Sequence, residues 1–130
     1  MVAMKEWLLQ IFTWWNGQTM GTRFYTWRNG KRVGEDEFGN VYYTNSDGSR
    51  RWVIYNGPVE ASAIPTGWHG WIHHRVDTPP SSESYKPREW EKPFQKNHTG
   101  THEAYRPSGS LLRPEKDRPR VTGEYDAWTP

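Results

Sequence analysis

The segment Trp68-His69-Gly70-Trp71-Ile72-His73-His74 holds three of the five histidines of the chain. His69 and His73 are spaced i, i+4, so a helix would set both imidazoles on one face. That is half of a helical zinc site. Hydrolytic zinc chemistry also wants a glutamate after the first histidine as its base, and position 70 is glycine. There is no cysteine, and no well-placed carboxylate completes four ligands. These histidines read as hydrogen-bonded or interfacial groups. Glu35-Asp36-Glu37 could pose as an acid/base pair, but it adjoins a turn signal, where carboxylates are normally solvated, and catalysis is not expected there. Gly17-Gln18-Thr19-Met20-Gly21-Thr22 echoes a phosphate loop without its lysine or its preceding buried strand. Asn97-His98-Thr99 has the form of a glycosylation acceptor, which means nothing in a cytosolic chain. The sequence offers no catalytic residue, no cofactor site and no metal site.

Composition points elsewhere. Leu, Ile, Val and Phe supply only 19 of 130 residues, below the roughly 20% at which chains usually fold unaided. Nine Trp and seven Tyr take their place. Such rings carry large contact area and favour interfaces, because one end is apolar and the other hydrogen-bonds. The chain is therefore expected to complete its burial against something else. Disulfide, Cys-ligated zinc and iron–sulfur ligation are excluded by the missing cysteine. No secretory or transit signal and no run of about 20 apolar residues is visible. A soluble or peripheral protein, cytosolic in a bacterium, is the expectation.

Three zones must position these residues in a small α+β fold. Residues 1–17 form an amphipathic interfacial helix over Val2–Asn16. Met4, Trp7, Leu8, Ile11, Phe12, Trp14 and Trp15 share one arc, with Leu9 as the exception. This helix is too short to stand alone in water, and its Trp-rich face suits its own domain's core, a partner groove or a membrane surface. Residues 18–76 form a short antiparallel β-meander with a short helix. Arg23–Trp27 and Lys31–Glu35 flank an Asn29-Gly30 hairpin signal, Gly39-Asn40 turns into Val41–Thr44, and Asn45–Gly48 turns into Arg50–Tyr55. Pro65 opens a helix carrying Trp68, Trp71 and Ile72. Residues 77–130 hold eight of the ten prolines and read as a long extended Pro-rich tail. Its spaced rings, Tyr85, Trp90, Phe94, Tyr105, Tyr125 and Trp128, suit a tail that lies along a partner and folds on binding.

Basic residues interleaved with rings on a small meander also suit a single-stranded nucleic-acid-binding module. Against it, 17 basic residues are matched by 15 acidic ones and net charge is only +2. The two signs are interspersed rather than segregated, so no basic stripe is expected.

Certain segments, taken in order, resemble one family. They are Ile11–Thr19, Gly34–Tyr43, Arg50–Gly57, Trp68–His74, Trp90–Pro93 and Asn97–Thr101. They are similar to the small accessory (supernumerary) subunit family of respiratory complex I, NADH:ubiquinone oxidoreductase, which includes the assembly factor mimitin. The missing transit signal resembles an alphaproteobacterial member. The resemblance implies a non-catalytic subunit without cofactors, bound to the peripheral arm near the membrane, which stabilises the complex or assists its assembly. It implies core hydrophilic subunits as partners, among them the ferredoxin-like subunit with two [4Fe–4S] clusters, and neither nucleic acid nor a homo-oligomer. The location implied is the cytoplasmic face of the bacterial inner membrane, or the matrix face of the mitochondrial one. A transient assembly factor is the alternative within the family. Trp7, Leu8, Ile11, Phe12, Trp14 and Trp15 are expected to form the membrane or partner-interface helix. Trp68, His69, Trp71, His73, His74, Tyr85, Trp90, Phe94, Tyr105 and Trp128 are expected to bind partners.

Overall fold

The structure, a computed structural model, describes residues 2–107, 110–112 and 128–130. Tyr125, Pro114 and Pro119 lie outside the described residues. The chain divides into a unit of residues 1–97 and a second of residues 98–130, a boundary about twenty residues later than the composition shift suggests.

The first unit has α1 (Val2–Phe12), α2 (Met20–Asn29), β1 (Lys31–Glu35), β2 (Val41–Thr44), β3 (Arg51–Ile54) and α3 (Thr66–Ile72). Short 3-10 turns cover Ala61–Ala63 and Pro80–Ser82. The strands form an antiparallel sheet in the order β1-β2-β3, with an irregularity between Arg32 and Gly34. The small α+β architecture is as expected from sequence.

Two expectations are corrected. The first helix stops at Phe12 rather than running to Asn16. The Thr13 hydroxyl donates back to the Leu9 carbonyl at 2.5 Å. Beyond it Asn16 bridges Pro58 and Val59 N–H donates to the Trp15 carbonyl at 2.9 Å. A bend at Trp14 and Trp15, leading into the Asn16 bridge, thus replaces helix there. Arg23–Trp27, expected as a strand, lies within α2. Thr19 caps that helix by accepting from Thr22 N–H, as N-cap threonines do, and a local cap outweighs the β propensity of the rings.

Pairing sets the two sheet faces. Tyr42 is opposite Val53 and Tyr43 opposite Trp52, so successive residues alternate sides. On the first face Tyr42, fully buried, stacks on Trp68 with centroids 4.0 Å apart. Trp71 meets Tyr42 and Trp68 edge-on, the arrangement that ring quadrupoles favour. Ile64 completes the core, with Val33, Val53, Tyr55 and Ile72 against it. Gly34 is required in β1, since a Cβ there would lie 2.8 Å from the Trp68 ring. On the other face Trp52 stacks with Tyr43 and meets Tyr25 of α2, and its indole N–H donates to Thr26 Oγ1 at 2.9 Å.

The β1–β2 turn is organised by Asp36, which is not the solvated carboxylate expected from sequence. It accepts from Phe38 and Asn40 N–H, from the Asn40 amide and from the Tyr42 hydroxyl. Asn40, almost fully buried, also donates to Ala63 O and accepts from Asn56 N–H. One amide thereby ties the turn to the end of β3 and to the 3-10 turn before α3.

Burial, then the hydrogen bond to Asp36 and its charge, push the pKa of the Tyr42 hydroxyl far above the ordinary tyrosine range. An unfolded tyrosine loses its proton near pH ~10, whereas folded Tyr42 keeps it. Above that pH the unfolded chain binds fewer protons, so stability falls as pH rises. In urea titrations between about pH 9 and 11, Tyr42→Phe is expected to flatten this alkaline loss. What remains includes the contribution of Tyr55, whose proton burial also holds. An unchanged slope would show that Tyr42 is not the responsible group.

The segment after α3 returns over its own unit. Arg51 donates to the Trp71 and Val76 carbonyls, pairs with Asp77 and lies 4.9 Å over the Trp71 ring. It thus closes the C-terminal end of α3. Ser81 donates to Val33 O, Phe94 meets Phe38, and Asn97 N–H donates to Ser62 Oγ. In the second unit, Thr101 N–H and hydroxyl both donate to His98 O, and His98 Nδ1 lies 3.1 Å from Glu103.

Candidate interaction surface

The core consumes two of the residues expected to bind partners. Trp68 and Trp71 are 4% and 3% exposed and hold α3 to the sheet. Their own chain covers them, so the assignment of these two rings to a partner is corrected. The spacing carried the signal: indoles at i, i+3 share a helix face, and a strand glycine such as Gly34 marks close approach.

The remaining rings are left on the surface. Met4, Trp7, Leu8, Ile11 and Phe12 of α1 are exposed, Phe12 at 77%, as are Trp14 and Trp15 beyond it. The half-buried residues of α1 are Leu9, the exception to the apolar arc, and Gln10. The apolar arc of α1 therefore faces away from the unit. Tyr85 and Trp90 are exposed in the first unit, Tyr105 and Trp128 in the second. Phe94 is half-buried and separates two clefts. One, of about 600 Å³, is lined by Tyr85, Trp90, Lys92 and Glu91 beside Pro80. The Tyr85 hydroxyl donates to Glu91, which pushes its proton release upward. The other, of about 700 Å³, is lined by His69, His73, Ser62 and Asn97.

His69, His73 and His74 are all exposed. The first two rings lie 4.3 Å apart on α3, as i, i+4 spacing dictates. Among the described residues, no three His, Asp or Glu side chains gather as a metal ion would require. His74 adopts φ 57° where the chain leaves α3. Among the described residues, no helix is long and apolar enough to cross a membrane.

Sequence reasoning missed α2. Treating Arg23–Trp27 as a strand hid the fact that helical spacing puts Arg23, Phe24, Trp27 and Arg28 on one side, opposite Tyr25 and Thr26. Phe24 and Trp27 are 61% and 78% exposed and pair at 5.8 Å. The Thr19 cap was the available clue.

A surface of unburied aromatic rings and shallow clefts, on a fold whose polar networks serve the fold itself, suits binding rather than bond-making. Residues 30–130 match the family described as NADH ubiquinone oxidoreductase subunit NDUFA12. The chain is 34% identical over 114 residues to the Dictyostelium discoideum NADH dehydrogenase [ubiquinone] 1 alpha subcomplex subunit 12, a match covering 82% of this chain and 83% of that one. To the Bos taurus protein of the same name it is 38% identical over 96 residues, covering 62% and 64%. An uncharacterized Rickettsia prowazekii protein is 39% identical over 74 residues, covering 52% and 69%. With a family match over most of its length and relatives of this similarity, the chain belongs to the NDUFA12 family of NADH:ubiquinone oxidoreductase subunits.

Proposed function

We propose that the chain is a resident accessory subunit of complex I, bound to the peripheral arm near the membrane and stabilising the assembled complex. As a member of a family of accessory subunits it is not an enzyme in its own right, and its partners are other subunits of complex I in the inner membrane. The observation that carries the finer reading is the exposure of six of the nine tryptophans beside a core of only Tyr42, Ile64, Trp68 and Trp71. A chain that binds the assembled arm more tightly than its separated parts favours assembly by mass action.

The core hydrophilic subunits, including the ferredoxin-like subunit with two [4Fe–4S] clusters, are the proposed partners. They would be reached through Tyr85, Trp90, Phe94, Tyr105, Trp128 and the exposed His69, His73 and His74. The α1 arc with Trp14 and Trp15 faces the membrane side of that site. The proposed location is the cytoplasmic face of a bacterial inner membrane, or the matrix face of a mitochondrial one. Isolating native membrane complexes in mild detergent tests the reading. The chain should migrate with NADH dehydrogenase activity in the mature complex. Migration only with partial complexes would make it an assembly factor, and migration with neither would overturn the reading.

Trp90→Ala is expected to weaken retention in the complex by about 2 kcal/mol, some thirty-fold in affinity, as for a central aromatic anchor. Its ring is exposed and adds little to the fold, so the thermal midpoint of the free chain should stay put. Undiminished co-purification at high salt would remove Trp90 from the interface.

A further inference from the structure

Between Trp7 and Gly34 the chain has no acidic residue, although it carries fifteen Asp and Glu in all. The charged residues there are Arg23, Arg28, Lys31 and Arg32, all exposed. Arg32 pairs with Glu35, which leaves Arg23, Arg28 and Lys31 as the cations of α2 and the residue pair that follows it. They flank the exposed Phe24–Trp27 ring pair. Gln10 of α1 accepts from the Arg23 guanidinium at 3.4 Å, so this charged patch adjoins the helix whose apolar arc is turned outward. Both helices precede residue 30, where the family match begins.

We propose that α1 and α2 together form a docking surface for an anionic phospholipid bilayer. Charge decides the occupant. A zwitterionic lipid face has no use for three cations that pair with no carboxylate among the described residues, whereas anionic headgroup phosphates do, at short range and in a salt-dependent way. Tryptophan and phenylalanine rings settle at headgroup depth, beside long basic side chains that reach the phosphates. The α1 arc includes aliphatic Met4, Leu8 and Ile11 among its exposed residues. These gain from an acyl boundary and would gain nothing from stacking on nucleic-acid bases, which separates this surface from a single-strand binder. The inference deepens the membrane-side placement of α1 proposed above, rests on it, and adds α2 as the source of lipid selectivity.

The test uses the full chain with vesicles of phosphatidylcholine alone, or with roughly a third replaced by cardiolipin. Binding is expected to be at least about ten-fold tighter to the anionic vesicles and to weaken with added salt. Neutralising Arg23, Arg28 and Lys31 together to Gln should cost about five-fold per cation, roughly a hundred-fold in all. Arg23→Lys with Arg28→Lys should keep most of the selectivity. Quenching of tryptophan emission by brominated lipid should fall in Trp27→Phe. Equal binding to both vesicles, no binding, loss in the lysine variant equal to that in the glutamine variant, or oligo-dT displacing the chain from vesicles would each overturn the lipid surface. A chain that migrates with NADH dehydrogenase activity yet ignores vesicles would sink this inference and leave the subunit reading standing. Vesicle binding without co-migration would do the reverse.

Discussion

Trp68→Ala is expected to remove about 3–5 kcal/mol of folding stability, read as a drop in the urea midpoint of the isolated chain. The indole fills the space between Tyr42, Trp71 and the Gly34 backbone. Domains of this size hold about 5–15 kcal/mol in total, so the variant loses a large share of the whole. It would then fail to join a complex because it is unfolded. Trp90→Ala should show the opposite pattern, with normal stability and weakened retention. If Trp68→Ala kept its urea midpoint and lost only its partners, the core assignment of α3 would be wrong.

Asn40→Ala should cost about 1–3 kcal/mol, because three partly buried hydrogen bonds lose their shared partner. Asn56 N–H loses its acceptor, Ala63 O its donor, and Asp36 the amide that faces it. The change should appear as a lower urea midpoint with an unaltered denaturant slope, since the surface exposed on unfolding is the same. Asn40→Asp adds a second carboxylate beside Asp36. Like charges hold the proton of one of the pair more tightly in the folded state, raising its pKa, so this variant should be weakest at neutral pH and recover on acidification. Equal stability of Asn40→Asp at pH ~7 and ~4 would exclude that account.

Sequence was most informative where backbone geometry restricts residue choice. Gly39 and Gly48 sit at φ 83° and 75° in the two turns that separate the strands, a region few residues other than glycine occupy. The turn signals therefore located β1, β2 and β3 closely, and Pro65 the start of α3. It was least informative where one side chain serves two structures equally well. Arg23–Trp27 reads as alternating polar and aromatic, and the Thr19 cap together with tertiary packing of Tyr25 and Thr26 on Trp52 selects helix. The same ambiguity governs tryptophan. Trp68 and Trp90 look alike on paper, yet one is enclosed because Gly34 and Gly67 leave room for α3 and Pro80 to approach, and the other is not. Which rings are left over for a partner depends on how the core is filled, and that is a property of the fold rather than of any single residue.

The perpendicular Trp68 and Trp71 rings, with the Tyr42 ring parallel to the first, give the molecule an optical label of its own. Immobile, closely spaced chromophores produce strong near-ultraviolet dichroism that vanishes when fixed packing is lost. Solvent-bathed indoles such as Trp90 and Trp128 emit further to the red and report instead on what later covers them. A single sample can thus signal the integrity of its interior and the occupancy of its exterior at two wavelengths, with no dye attached.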